Sequence, residues 1–411
     1  MSTEILQTYR DQVRAELTDN ILAFYLNHAI DEKKGGFHGF IAADLTIPPD
    51  APKALIQNSR LLWTFAHAYR RLGRPEYRQV ANRAYDYLLT HFWDDQFGGL
   101  FWLLDAQGRP QDTSKWVYGQ AFGIYGLAEY DLATGNPDSR DRAIELYRLL
   151  ETQSRDADRG GYSEAFRRDW TSLDTVSIDE IAAAKTMNTH LHMMEAYTNL
   201  LRAWDDPSLR TTLRQLIGLT LGQIVDQETG HFKLHFDAAW QPLNAHISYG
   251  HDIEGSWLLC EAAEVLDAAD LLTQVQAVAL VMAEATLQEG IDPDGGILNE
   301  GDPSGLIDDN KDWWPQAEAM VGFLNAYQLT GESRYLEASL NCWKFARQFI
   351  IDPQQGEWLW GVTRQGQPYR TEKSGPWKAP YHNGRACIEV MQRLTYLLEN
   401  KPFATKMTTV L

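Results

Sequence analysis

Six times along this chain an aspartate opens a short turn that closes on glycine and an apolar or aromatic residue. The turns read DEKKGGF from Asp31, DDQFGGLF from Asp94, DADRGGY from Asp156, DQETGHF from Asp226, DPDGGI from Asp292 and DPQQGEW from Asp352. Their first glycines stand at 35, 98, 160, 230, 295 and 356, so the spacings are 63, 62, 70, 65 and 61 residues. One order of residue types returning at a near-constant period marks a repeat architecture. Asp and Gly are turn formers, and the residue after them begins an apolar run, as at the first strand of a small hairpin.

Between the turns the pattern is helical. Leu62, Phe65, Ala66 and Tyr69 follow the i, i+3, i+4, i+7 rule, and Met194, Tyr197 and Leu201 follow it more loosely. A unit of this length has room for a hairpin and two ordinary helices. Six helix pairs either spiral open or close on themselves. Closure is expected, because the last unit is as apolar as the central ones and polar end caps are lacking. The expected fold is all-α, a closed (α/α)6 barrel of six inner and six outer helices with short β-hairpin loops. With no Pro, Gly or Ser-rich linker to divide it, residues 1–411 read as a single catalytic domain.

Composition narrows the partners. The formal net charge of −19 argues against nucleic acid or an anionic membrane. The 14 Trp, 18 Tyr and 15 Phe suit a pocket in which sugar C–H faces stack on aromatic rings, so a small-molecule sugar is the expected partner. Cys260, Cys342 and Cys387 are odd in number, far apart and in apolar surroundings, which fits free buried thiols in a reducing compartment. The segment MSTEILQTYRDQVRAEL has neither a signal-peptide nor a transit-peptide pattern, and no apolar run approaches the roughly 18 residues of a membrane span. A cytoplasmic protein, monomeric or homodimeric, is expected.

In a closed ring, equivalent positions converge on the axis. The polar and aromatic residues that follow each turn are Arg60, Tyr118, Asn188 with His192, His251 with Glu254, Trp314 with Glu318, and His382 with Arg385, all 19 to 32 residues after the first glycine of their unit. His251 and Glu254 are three apart on one helical face, so the carboxylate is expected to tune the imidazole. Six helix N-termini around one basin would favour a transient oxyanion. His190 falls in phase with Met194 and Tyr197 and reads as structural, as do His28, His38, His67, His91, His231, His235 and His246. Pro376 and Pro380 stiffen the loop that delivers Trp377, Tyr381, His382 and Arg385.

Three chemistries compete for this inventory. A metal site would draw on His190, His192, His251 and His382, but HExxH and paired cysteines are missing. Glycoside hydrolysis needs two carboxylates across one bond, for which Glu254 and Glu318 are available and Asp179 with Glu180 is a weaker, solvated pair. Proton abstraction beside a carbonyl needs bases near neutral pKa, one on each face if configuration changes, and His251 and His382 sit two repeats apart. A sugar-binding module accounts for the aromatics but not for two in-phase histidines.

SYGHDIEGSWLL, MNTHLHMMEAYTNL, WWPQAEA and WKAPYHNGR together resemble motifs of the cellobiose 2-epimerases, within the N-acylglucosamine 2-epimerase superfamily. NSRLLWTFAHAYR and YGQAFGIYGLAEY resemble that family's first and second inner helices, and the likeness spans about residues 10 to 400. The resemblance implies a barrel of six helix pairs and an enzyme with no metal and no organic cofactor. It implies that His382 is the base taking the C2 proton of the opened sugar, and that His251 is the acid returning one to the other face through a cis-enediolate. It further implies that Arg60, Asn188 and His192 steady the developing oxygen anion and that Glu254 tunes His251. Trp257, Trp314, Glu318 and Arg385 would hold the sugar, with Tyr118 and Trp377 as aromatic contacts, the latter toward a second ring. Mannose 2-epimerase, aldose–ketose isomerase and N-acylglucosamine 2-epimerase activities remain open at this point.

Overall fold

The computed structural model describes residues 3–173 and 181–399; the candidate pair Asp179 and Glu180 lies outside them. Counting π-helical turns with the helices they continue, the described helices are α1 (3–28), α2 (Leu55–Leu72), α3 (75–92), α4 (Val117–Thr134), α5 (Pro137–Gln153), α6 (Met187–Ala203), α7 (207–224), α8 (Tyr249–Leu266), α9 (269–290), α10 (Trp313–Thr330), α11 (333–350) and α12 (His382–Leu398). The even-numbered set is buried almost all round: every residue of α2 from Leu55 to Ala68 is buried. The odd-numbered set is amphipathic, as in α5, where Ser139, Ala143, Leu146, Tyr147 and Leu150 form one buried stripe.

Each even helix packs on the next, α2 on α4, α4 on α6, α6 on α8, α8 on α10 and α10 on α12, and α12 packs back on α2. Each odd helix lies against an even one: α3 on α2, α5 on α4, α7 on α6, α9 on α8, α11 on α10, and α1 on α12. The buried apolar residues form one continuous cluster across all of these elements. Tight connections follow from ordinary end chemistry: Gly73 and Gly135 close α2 and α4 in the left-handed region, and Pro75 and Pro137 start the helices after them.

The hairpins carry the repeat. A short strand before each even helix pairs with the hairpin of the following unit: Lys53–Ala54 with Leu103–Leu104, Lys115–Trp116 with Ala165–Phe166, Lys185–Thr186 with His235–Phe236, Ile247–Ser248 with Glu300–Asp302, and Lys311–Asp312 with Gly361–Val362. The sixth, Glu372–Ser374, returns to Ile41–Ala42 of the first unit. The same hairpins receive the first free N–H of five even helices, as Val117 N donating to Glu164 O at 2.9 Å and Met187 N to Leu234 O at 2.8 Å. This explains why most of these helices start without a side-chain cap.

The turn aspartates have a second task that spacing alone did not reveal. Asp31, Asp94, Asp156, Asp292 and Asp352 each accept a hydrogen bond from a buried strand lysine, Lys53 (3.0 Å), Lys115 (3.1 Å), Lys185 (2.7 Å), Lys311 (2.7 Å) and Lys373 (2.9 Å). Each pair staples a turn to the strand that leads into an even helix. The fourth unit departs, with Ile247 at the lysine position. Among the described residues no helix is long and apolar enough to cross a membrane, and the three cysteines are buried and unpaired.

Candidate active site

The N-terminal turns of the even helices bring together residues more than three hundred positions apart. Arg60 of α2 donates through Nη2 to the Tyr118 hydroxyl of α4 at 2.9 Å and through Nη1 to the backbone carbonyl of Trp377 at 2.6 Å. Its guanidinium lies over the rings of Phe122 and Tyr381, at 4.6 and 4.9 Å from their centroids. Arg60 is thus held flat by aromatic faces.

His251 and His382 meet at one indole. The Trp314 ring is 4.6 Å from His251 and 5.5 Å from His382, centroid to centroid. Ser248 Oγ engages His251 Nδ1 at 2.8 Å. His382 Nδ1 is 2.7 Å from Glu318 Oε1, and an acceptor there requires the proton on Nδ1, leaving Nε2 as the basic nitrogen. Burial pushes the His382 imidazole well below its ordinary pKa, and the charges of Arg60 and Arg385 add to this.

Beneath these rings Arg385, only 2 % exposed, binds three carboxylates. Its Nη2 donates to Glu254 Oε1 at 2.5 Å and to Glu318 Oε1 at 2.7 Å, and its Nη1 donates to Glu195. Glu195 also accepts from the Tyr381 hydroxyl at 2.5 and 2.6 Å and pairs with His192 Nδ1 at 2.9 Å. Burial alone would raise the Glu195 carboxyl, but Arg385 and His192 outweigh it and hold the group at about 2. Glu254 goes the other way, pushed up to about 7 by burial and the nearby Glu318. Buried carboxyls with opposite shifts around one guanidinium are what a functional centre shows.

Four of the expected site residues pack into one buried network. Glu254 sits on Arg385 and 3.8 Å from His382 Nδ1, so it belongs to the His382 side, and Ser248 holds the His251 Nδ1. Glu318 Oε1 stands 2.7 Å from His382 Nδ1. Trp257 is 1 % exposed and donates its indole N–H to Glu318 Oε2 at 3.1 Å, so it supports the network from below. Arg385 turns both Nη atoms to carboxylates, and its buried Nε lacks a partner among the described residues. Glu254, Glu318 and Arg385 were drawn to the site by helical phase, which does not separate a pocket wall from the layer beneath it, and Trp257 by the family resemblance.

A cavity of about 340 Å³ opens beside His251, lined also by Thr186, Asn188, His235, His246, Ser248 and Glu300. Asn188 is where the sequence places it, and its buried Oδ1 lacks a partner among the described residues. His235 and His246, read as structural, share this wall; both lie on the hairpin before α8, outside helical phase. His190 is structural as expected, with Nδ1 on Thr186 O and Nε2 accepting from Tyr162 N. His67 is likewise buried against Glu129. Glu195, three residues after His192 on one face, and Tyr381, on the loop that delivers His382, were given no role at the site by the sequence.

Glu254, Glu318 and His382 offer ligand atoms within 4.8 Å of one another, the spacing of a metal site. Arg385 Nη2 already stands on both carboxylates, and a cation there would meet a fixed positive charge. The donor set fits a guanidinium better than a metal ion.

The profile of the N-acylglucosamine 2-epimerase (GlcNAc 2-epimerase) family matches residues 35–386. The chain belongs to this family. The cellobiose 2-epimerase of Bacteroides fragilis is 43 % identical over 93 % of this epimerase-family chain and 98 % of its own. The solved structure of cellobiose 2-epimerase from Bacillus thermoamylovorans superposes with a TM-score of 0.91 at 39 % identity, covering 94 % of this chain and all (100 %) of that one. A D-mannose isomerase of Marinomonas mediterranea is more distant, 26 % identical over 92 % of this chain and 96 % of its own. The protein is therefore a carbohydrate epimerase, an isomerase, with a sugar as its substrate class.

Proposed function

We propose that this sugar 2-epimerase acts on β-1,4-linked disaccharides of the cellobiose or lactose type, inverting C2 of the reducing-end aldose in one closed (α/α)6 barrel domain. The cyclic pairing of hairpins, with Glu372–Ser374 on Ile41–Ala42, supports the closure. The observation that carries the chemistry is the pair of imidazoles, His251 and His382, on separate helices against one indole. His382 takes the C2 proton on Nε2 while Glu318 fixes its tautomer. The cis-enediolate turns about C2–C3, and His251 returns a proton to the opposite face. Arg60, Asn188 and His192 steady the enediolate oxygen, preorganised donors of this kind supplying a few kcal/mol each.

Two features favour a disaccharide. Trp377 projects from the loop ahead of α12 into an aromatic group with Trp102 at 5.9 Å and Tyr118 at 6.0 Å, a platform for a second ring. The family's cellobiose 2-epimerases also match far more closely than its mannose isomerase. Incubation with cellobiose, lactose, mannose and glucose in deuterium oxide tests the reading. Deuterium at C2 with an inverted reducing end on cellobiose or lactose is expected, and Trp377→Ala is expected to raise KM for the disaccharide without raising it for any monosaccharide turned over. Turnover of mannose alone, or protonation at C1 to give a ketose, would refute the disaccharide assignment.

The acid limb of activity follows from His382. A base must be neutral to act, and a pKa held below the ordinary imidazole value keeps it neutral through mildly acid pH. The kcat/KM profile is therefore expected to stay flat from neutrality down past about pH 6.5, the ordinary imidazole value, and to fall only below it. A limb centred at or above that value would show that another group is the base.

A further inference from the structure

One side chain near the start of each even helix ties that helix to its own hairpin. Gln120 accepts from Leu100 N at 2.7 Å and donates to Leu100 O at 2.8 Å, and Gln316 treats Ile297 the same way at 2.9 and 2.9 Å. His190 accepts from Tyr162 N at 3.0 Å, and Gln57 donates to His38 O at 3.0 Å. In the fourth and sixth units the tie residue is shorter: Asp252 accepts from Phe232 N at 2.7 Å, and Asn383 stands at the matching place in α12. Aligned this way, His251 and His382 occupy one equivalent position, each immediately before the tie.

The hairpins vary in concert. Four units keep a second glycine, Gly36, Gly99, Gly161 and Gly296, whereas the two with a catalytic histidine carry His231 and Glu357 there. At the four glycines a side chain has no room: a Cβ would lie 2.7 Å from the Tyr87 ring at Gly36, 2.8 Å from Trp170 and 3.0 Å from Gln120 Oε1 at Gly99, 2.4 Å from Trp240 and 2.7 Å from His190 Nε2 at Gly161, and 2.8 Å from the Phe345 ring at Gly296. Where the tie is short, the added side chain completes it. His231 Nδ1 pairs with Asp252 Oδ2 at 2.8 Å. Glu357 Oε1 accepts from Asn383 Nδ2 at 2.7 Å, from Trp358 N at 2.9 Å and from Lys378 Nζ at 3.0 Å. Lys378 follows Trp377, so Glu357 also anchors the aromatic loop. Glu357 takes this place at φ 61°, the left-handed region that a non-glycine residue enters only when its surroundings hold it there.

We propose that His231 and Glu357 are positioning residues, which set the first turns of α8 and α12 and thereby the aim of His251 and His382. His231 faces Asp252 and Tyr249 of α8, and its Nε2 is 3.2 Å from Glu289 Oε2 of α9. Burial opposes its protonation, but Asp252 and Glu289 outweigh burial and raise its pKa. The brace beside His251 is therefore titratable.

This positioning role rests on the epimerase reading above, with His251 and His382 as the proton-transfer pair. The test uses Glu357→Gly, Glu357→Gln, His231→Gly and His231→Gln in the full chain, with kcat, KM, the pH profile of kcat and the urea midpoint measured on cellobiose. Each glycine variant is expected to lose about 10²-fold in kcat, the scale of a small misplacement of a reacting group, with KM little changed. Glu357→Gln keeps an acceptor for Asn383 and is expected to recover most of the loss. His231→Gln is expected to move the alkaline limb of the profile, and Glu357→Gln to leave it in place. Glycine variants with a lowered urea midpoint but wild-type kcat would reduce both residues to packing and overturn the proposal. If His382→Ala is inactive while Glu357→Gly turns over normally, positioning alone fails; if His382→Ala is fully active, the epimerase roles themselves fail.

Discussion

Replacement of His382 by alanine is expected to lower kcat by about 10³- to 10⁴-fold, the upper part of the range for loss of a positioned general base. Among the described residues the ring makes one hydrogen bond, Nδ1 to Glu318, and its other role is to present Nε2 beside Trp314, so the fold should survive its removal. His251→Ala is expected to abolish inversion to a similar extent, but with a difference that identifies the two roles. His382 remains able to remove the C2 proton and return solvent deuterium to the face it left. The His251 variant should therefore exchange C2 hydrogen of the starting sugar without accumulating epimer, while the His382 variant should do neither from that side. Mass spectrometry and carbon NMR of the recovered sugar separate these outcomes. Equal exchange in both variants, or near-normal inversion in either, would remove the two-imidazole mechanism.

How much of this centre could be read beforehand depended on what periodicity carries. The turn repeat gave the helix pairs and the expected hairpins because Asp, Gly and an aromatic residue return at one spacing, and that spacing is a property of the backbone. Helical phase then brought Arg60, Asn188, His192, His251, Trp314 and His382 to one end of the even helices. It failed one layer down. Glu254, Glu318 and Arg385 share the phase of the pocket residues, but a buried ion network is set by depth and by pairings between distant segments, such as Glu195 with Arg385 across 190 positions. His235 and His246 escaped for the opposite reason, since they stand on hairpin residues where no helical period applies. The strand lysines recur in five of the six units, yet each reads alone as a surface charge. Only the burial of Lys115 against Asp94, both wholly inaccessible, shows the staple.

Arg385→Met is expected to be the most destabilising single change at the site, costing about 3–5 kcal/mol, because it leaves buried carboxylates without the cation that compensates them. Glu195, Glu254 and Glu318 are each at most 1 % exposed at their side chains, so water does not replace the guanidinium. Lysine is a poor substitute, since one ammonium cannot reproduce a planar fork that reaches three acids. The pH dependence of the loss gives the cause away. With the arginine gone, burial raises the folded-state pKa of these carboxyls above the unfolded value near 4.3. A raised folded pKa contributes stability that is present below the unfolded pKa and lost as pH rises through the folded one. Glu254, already at about 7 with Arg385 in place, leads this behaviour. The gap in unfolding free energy between wild type and variant should therefore be widest near pH 8 and narrow steadily toward pH 5, as read from urea unfolding at each pH. A gap that stays constant would mean that Arg385 matters for its packing on Trp257 and Tyr381, where it lies 4.8 and 4.3 Å from the ring centroids, and not for its charge.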